Sequence, residues 1–279
     1  MKQYQLAMPQ QVFSGETGMQ ALESLAARHK KAAVFTDAGI RASGVLERPL
    51  AELDKAAVPY VVYDTLPAEP TCDQAQQVID TFRESGADLI VAVGGGSVID
   101  TAKAIAHGAA NPETDIWEFW KRRAVLTKST PVGVVLTIPA AGSEMSNSSV
   151  ITNEDGWLKR GLNNECCRCR FAVMDPTITY TLPDYQTASG ASDVMMHTME
   201  RYFTAESDPM GLTDELAEGL LRSVMRDVQA ALKNPQDEKR IAARLAPSVG
   251  GLVTPYAPPA VAKLEHAPAV RPIVVGFGP

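Results

Sequence analysis

Apolar positions fall into two patterns along the chain. Four short continuous runs predict buried strands: Ala32-Ala33-Val34-Phe35-Thr36, Pro59-Tyr60-Val61-Val62-Tyr63, Asp88-Leu89-Ile90-Val91-Ala92-Val93 and Val132-Gly133-Val134-Val135-Leu136-Thr137-Ile138. Between them lie stretches with helical spacing. One helix is expected over 39–57, after a strand that ends at Asp37. Another opens at Thr71, runs to Ser85 and stops at Gly86. A third covers 97–107. Continuous Val/Ile runs separated by helices indicate a parallel sheet covered on both faces.

The pattern changes at about Pro183. Residues 185–203 and 212–232 read as two long helices with no strand-like run between them, and Asn234-Pro235 ends the second. The predicted layout is an α/β domain followed by an all-α one. Residues 241–279 break the pattern again. They hold seven prolines and one acidic residue, Glu265, and Pro255, Pro258 and Pro259 interrupt any helix. This stretch reads as a loose extension, or as the altered end of a longer ancestral chain.

Composition narrows the function classes. The 279 residues suffice for two domains, and 45% hydrophobic with 21% charged residues is a soluble globular mix rather than a disordered one. A net charge of -7 argues against a nucleic-acid binder, which needs a concentrated positive field. The four cysteines make no disulfide framework. Cys166, Cys167 and Cys169 sit too close to pair with one another and lack a second C-x-x-C arm. A reduced, cytoplasmic setting is expected. The first 15 residues lack the apolar core of a secretory signal, and no uncharged apolar run reaches the roughly 18 residues of a membrane span.

Three places carry candidate chemistry. The first is Gly94-Gly95-Gly96-Ser97, a strand running through three glycines into a helix. Glycines let backbone approach an anion, and the free N–H groups of a helix start point at it, so the pattern favours a phosphate cradle over a plain turn. Asp100 and Lys103 lie three residues apart on that helix, at the spacing of a surface ion pair. The second place is Asp37, at a strand's carboxyl end. It is either the N-cap of the following helix, the commoner use of Asp, or an acceptor for ribose hydroxyls. The third is the pair Asp193 and His197. Their i, i+4 spacing puts both side chains on one helix face, suited either to sharing a divalent cation or to a local hydrogen bond. Trp117, Phe119 and Trp120 read as a hydrophobic anchor. His29 and His107 read as structural residues on helices, and Met195, Met196 and Met199 as packing.

Taken together these segments resemble the iron-containing alcohol dehydrogenase family, especially its butanol-dehydrogenase-like branch. The resemblance runs from about Leu6 to Leu232. It is carried by Gly94-Gly95-Gly96-Ser97 with Asp100 and Lys103, by Thr137 to Glu144, by Lys159 to Pro183, and by Gln186 to Phe203. It implies a dehydroquinate-synthase-like fold: a nucleotide-binding α/β domain over 1–182, the start of a helical metal-binding domain over 183–240, and an atypical Pro-rich tail over 241–279. Asp37, Gly94, Gly95, Gly96, Ser97, Thr137, Ser143 and Lys159 would contact a nicotinamide cofactor, NAD or NADP, with Asp37 favouring NAD. Asp193 and His197 would be the first two ligands of Fe2+ or Zn2+. The implied reaction is hydride transfer between the cofactor and a small primary alcohol or aldehyde, in a homodimer.

The family sets two further histidines in its helical domain, whereas this chain has only His266 after His197. Its neighbours, Ala267-Pro268-Ala269-Val270-Arg271-Pro272, do not match the helix that the resemblance implies there, and the family is longer than this chain. The competing expectation is therefore an inactive family member that keeps only nucleotide or subunit binding. A zinc-dependent lyase of the dehydroquinate-synthase type matches the Lys159–Phe203 stretch poorly.

Overall fold

The computed structural model describes residues 10–15, 17–66, 69–203 and 211–234. Six parallel strands form the main sheet: β1 (Gln11–Ser14), β2 (Ala32–Asp37), β3 (Tyr60–Leu66), β4 (Leu89–Gly94), β5 (Val132–Leu136) and β8 (Phe171–Met174). An antiparallel hairpin of β6 (Ser148–Asn153) and β7 (Leu158–Asn163) precedes β8. The spatial order is β1-β8-β5-β4-β2-β3. The four expected strands are all present.

Strand residues alternate between two cores, as the period of two requires. Ala33, Phe35, Ile90, Ala92 and Val134 face α4 (Cys72–Ser85), α5 (Gly96–Ala110) and α6 (Ile116–Trp120). Ala32, Val34, Leu89, Val91 and Val135 face α1 (Ala21–Ala26) and α3 (Glu47–Lys55). The parallel sheet is thus covered on both sides. Trp117, Phe119 and Trp120 are buried in the first core, which supports the anchor reading.

Local chemistry sets the helix ends. Thr71 accepts from Gln74 N to cap α4, and Gly86 closes it in the left-handed conformation, φ 69°. The single helix expected over 39–57 is instead two, α2 (Ala38–Ala42) and α3, because Gly44 turns left-handed at φ 74° between them. The helix expected over 97–107 begins at Gly96 and continues to Ala110.

Four strands lacked a sequence signal. β1 has two apolar residues, and β8 is only four residues long. β7 points most of its residues, including Lys159 and Arg160, into solvent. The hairpin turn uses Gly156 and Trp157 at positive φ, 79° and 52°. The hairpin lies along α5 and α4, and Thr152 bridges to Thr71.

After the sheet come α7 (Asp184–Tyr202) and α8 (Gly211–Lys233), the two long helices expected there. They share a small core of Val194, Leu220 and Val224. A Cβ on Gly190 would lie 2.5 Å from Pro139 O, so α7 rests directly on the loop after β5. The Pro-rich stretch 241–279, with His266, lies outside the described residues. No helix among the described residues is long and apolar enough to cross a membrane.

Candidate functional site

The chain moves from β2 outward to β3, then returns to place β4 on the other side of β2. That reversal opens a crevice beyond the carboxyl ends of β2 and β4, the usual ligand position in such sheets. Thr36 Oγ1 donates to Val93 O at 2.8 Å and ties the two strand ends together. Asp37 ends β2, and Gly94 ends β4.

Gly95 is extended, φ −92° and ψ −165°, and α5 starts at Gly96. The first N–H groups of a helix have no partner within it and carry a partial positive charge. The three glycines differ in their surroundings. A Cβ on Gly94 would meet the Val98 side chain at 2.6 Å, and one on Gly95 would collide with Ile138 Cγ2. A Cβ on Gly96 would meet no atom of the described residues within 4 Å. Two glycines therefore serve protein packing, while Gly96 faces open space at the start of a 15-residue helix. A dinucleotide phosphate fits this cradle.

The other expected cofactor residues divide. Thr137 is buried, and its N–H donates to Gly94 O at 3.1 Å, so the segment after β5 starts beside the cradle. Ser97 sits in the first turn of α5, where its carbonyl accepts from Thr101 Oγ1. Asp37 caps α2: its Oδ1 accepts from Ile40 N at 2.9 Å. A carboxylate has a second oxygen, so the cap leaves acceptor capacity for a ribose hydroxyl. Lys159 lies on the exposed side of the hairpin, 61% accessible and 3.7 Å from the Glu69 carboxylate. Ser143 turns inward, its hydroxyl donating to Asp100 Oδ1 at 2.5 Å.

Asp100 and Lys103 do not form a surface pair. Lys103 is fully buried, because the hairpin covers the face of α5 turned away from the sheet. Burial raises the Asp100 carboxyl above its ordinary range, and the nearby Lys103 ammonium opposes the shift. Burial also raises Glu144, whose Oε1 finds no partner among the described residues. His107 is structural but has partners: Nδ1 lies 2.8 Å from Ser129 Oγ and Nε2 lies 3.3 Å from Cys167 Sγ. Burial holds its pKa down to about 3. Cys167 is pushed up to about 12 and Cys169 to about 11, again by burial, so both thiols stay protonated and unreactive at neutral pH. His29 is not on a helix: it follows α1 and lies 3.7 Å from the Asp88 carboxylate.

Asp193 and His197 share a face of α7, with Oδ1 and Nε2 3.7 Å apart and both side chains about two-fifths exposed. Glu200 also approaches His197, at 3.9 Å. No group of three or more His, Cys, Asp or Glu side chains among the described residues could hold a metal. Sequence reasoning missed Thr36 and Ile138, which join the strand ends and shape the cradle; an isolated Thr or Ile in an apolar run carries no signal of either role.

The sequence profile described as iron-containing alcohol dehydrogenase matches residues 9–176. The NADH-dependent butanol dehydrogenase A of Clostridium acetobutylicum is 30% identical over 239 residues, which cover 85% of this chain and 61% of that protein. The NADPH-dependent aldehyde reductase YqhD of Escherichia coli is 32% identical, with the same 85% and 61% coverage. The crystal structure of an NADH-dependent butanol dehydrogenase A from Thermotoga maritima superposes with a TM-score of 0.83 at 29% identity, covering 90% of this chain and 63% of that one. The chain thus spans about three-fifths of the length of these relatives.

Proposed function

The chain belongs to the iron-containing alcohol dehydrogenase family, and on that premise we propose that it binds a nicotinamide dinucleotide across the ends of β2, β4 and β5. The reaction proposed is hydride exchange with a small primary alcohol or aldehyde. The observation that supports this reading best is the open space at Gly96, at the start of α5 and beside the sheet's reversal point. When bound, the nicotinamide ring supplies the hydride chemistry. The chain's own part is to bind and orient. The first N–H groups of α5 take the pyrophosphate, and Gly96 lets it approach the backbone. Asp37 accepts from a ribose hydroxyl. Ile138 and Thr137 wall the cradle on the β5 side.

The metal fits less well. Among the described residues the candidate ligands that come together are the pair Asp193 and His197, and two ligands do not make a site. That observation favours a second reading, a nucleotide-binding chain with little or no dehydrogenase turnover. One titration series examines the common core of both. Calorimetry with NADH and NADPH should show binding that Gly96→Val weakens by roughly tenfold or more while leaving thermal stability nearly intact. Gly95→Val should instead destabilise the fold, because its side chain meets Ile138. Undiminished affinity in Gly96→Val would remove the cradle. Aldehyde reduction by the unsubstituted chain then separates the two readings.

A further inference from the structure

Lys103 lies on α5 about two turns beyond the cradle, and no part of it reaches solvent. Its Nζ donates to Ser143 O at 2.8 Å, to Ser143 Oγ at 3.1 Å and to Ser148 O at 2.6 Å. Asp100, one turn earlier, has its carboxylate 3.9 Å from the same ammonium. Asp100 accepts from Ser143 Oγ at 2.5 Å and from Val150 N at 3.0 Å, and its own carbonyl accepts from Ser149 Oγ at 3.2 Å. One carboxylate and one ammonium therefore gather both ends of 143–150.

Apolar residues would fill this face of α5 more cheaply, as Ala102, Ile105 and Ala106 do nearby. A buried charge pair is a poor source of stability and is better suited to fixing one geometry. What it fixes is adjacent to the site. The preceding segment starts at Thr137, bonded to Gly94 O, and continues with Ile138, packed on Gly95. The strand end and start of α5 thus anchor the beginning of 137–150, and Asp100 and Lys103 anchor its end.

Building on the dinucleotide reading of the site, we propose that Asp100 and Lys103 are positioning residues that clamp Ser143–Val150 onto α5, holding the 137–142 loop preformed beside the cradle for the nicotinamide dinucleotide. Ser143 is the shared hydroxyl through which both charges act, which gives it a role other than direct cofactor contact. A preformed loop spares the ordering cost that binding would otherwise incur.

The test uses the full chain and three variants. Ser143→Ala removes the shared hydroxyl, Ser143→Thr keeps it, and Lys103→Met removes the ammonium at similar volume. The readouts are NADH affinity from nicotinamide fluorescence, hydrogen–deuterium exchange over 139–150 without ligand, and cooperativity of thermal unfolding. Ser143→Ala should exchange faster within 139–150, unfold cooperatively, and bind NADH roughly ten- to a hundredfold more weakly. Ser143→Thr should restore both exchange and affinity, and Lys103→Met should shift both in the same direction as Ser143→Ala. Faster exchange with unchanged NADH affinity would overturn the positioning role, and unchanged exchange would overturn the clamp itself. An unsubstituted chain that binds neither NADH nor NADPH would sink the dinucleotide reading and the positioning role with it, while exchange would still separate a clamp from none.

Discussion

At Asp37 an observed helix cap and a proposed ribose contact fall on one side chain. Its cap on Ile40 N accounts for its place at the strand end without any ligand, and Asp, Asn and Ser are near equals in that role. The carboxylate charge is what distinguishes it. A carboxylate beside the adenosine ribose accepts from a 2′-hydroxyl and repels a 2′-phosphate. We expect NADH to bind more tightly than NADPH. Asp37→Ser keeps a cap and removes the charge, so it should improve NADPH relative to NADH by about tenfold, a change of about 1.4 kcal/mol. Equal affinities in the parent chain, or no relative gain in Asp37→Ser, would count against a ribose contact. Among the relatives, one is named for NADH and another for NADPH. The three-glycine run was legible because its backbone requirement is local. The inward turn of Ser143 was not, because it depends on Asp100 and Lys103, 43 and 40 residues away in sequence.

At the scale of elements, α5 is the member most constrained by its neighbours. It is apolar around most of its circumference, from Val98 through Ala110, which is the signature of a helix buried on all sides. That pattern was available in the sequence and argued against a surface Asp100–Lys103 pair; the i, i+3 spacing alone pointed the other way. What the sequence did not show was the cover, because β6 and β7 alternate weakly and one of them is largely solvent-facing. The burial of α5 has a measurable acid signature at His107. Its folded pKa is depressed to about 3 from 6.5, so between those values the unfolded chain holds a proton that the folded one does not. The stability this group contributes is full above about pH 6.5 and drains away as pH falls toward 3, at up to about 1.4 kcal/mol per unit. Urea unfolding of the parent chain and of His107→Gln should therefore converge as pH is lowered from 7.5 to 4.5. Parallel profiles would mean that His107 is solvated in solution.

At the scale of the whole molecule, the repeated alternation of strand and helix made the parallel sheet readable in advance, and α7 and α8 stood out by their length. The strand order was not readable, because it is set by which edges pair. The metal belongs to this scale too, since its ligands must come from separated parts of the chain. Asp193 and His197 alone should hold a cation weakly. Equilibrium dialysis against Fe2+ or Zn2+ should leave well under one metal per chain, and Asp193→Ala should change little. A tight stoichiometric complex lost in His266→Ala would instead make His266 the third ligand. The sheet also carries a timetable. Among the described residues β1 pairs with β8 alone, Gln11 against Phe171, so β1 waits for that pairing until β8, the last of the six strands in sequence, has emerged. Closing so long a loop is slow, and throughout that wait Val12 and Phe13 stay available to other chains. The short make-up of β1, with two polar residues among its four, hid it from sequence reading and limits how far a waiting edge of this kind can stick.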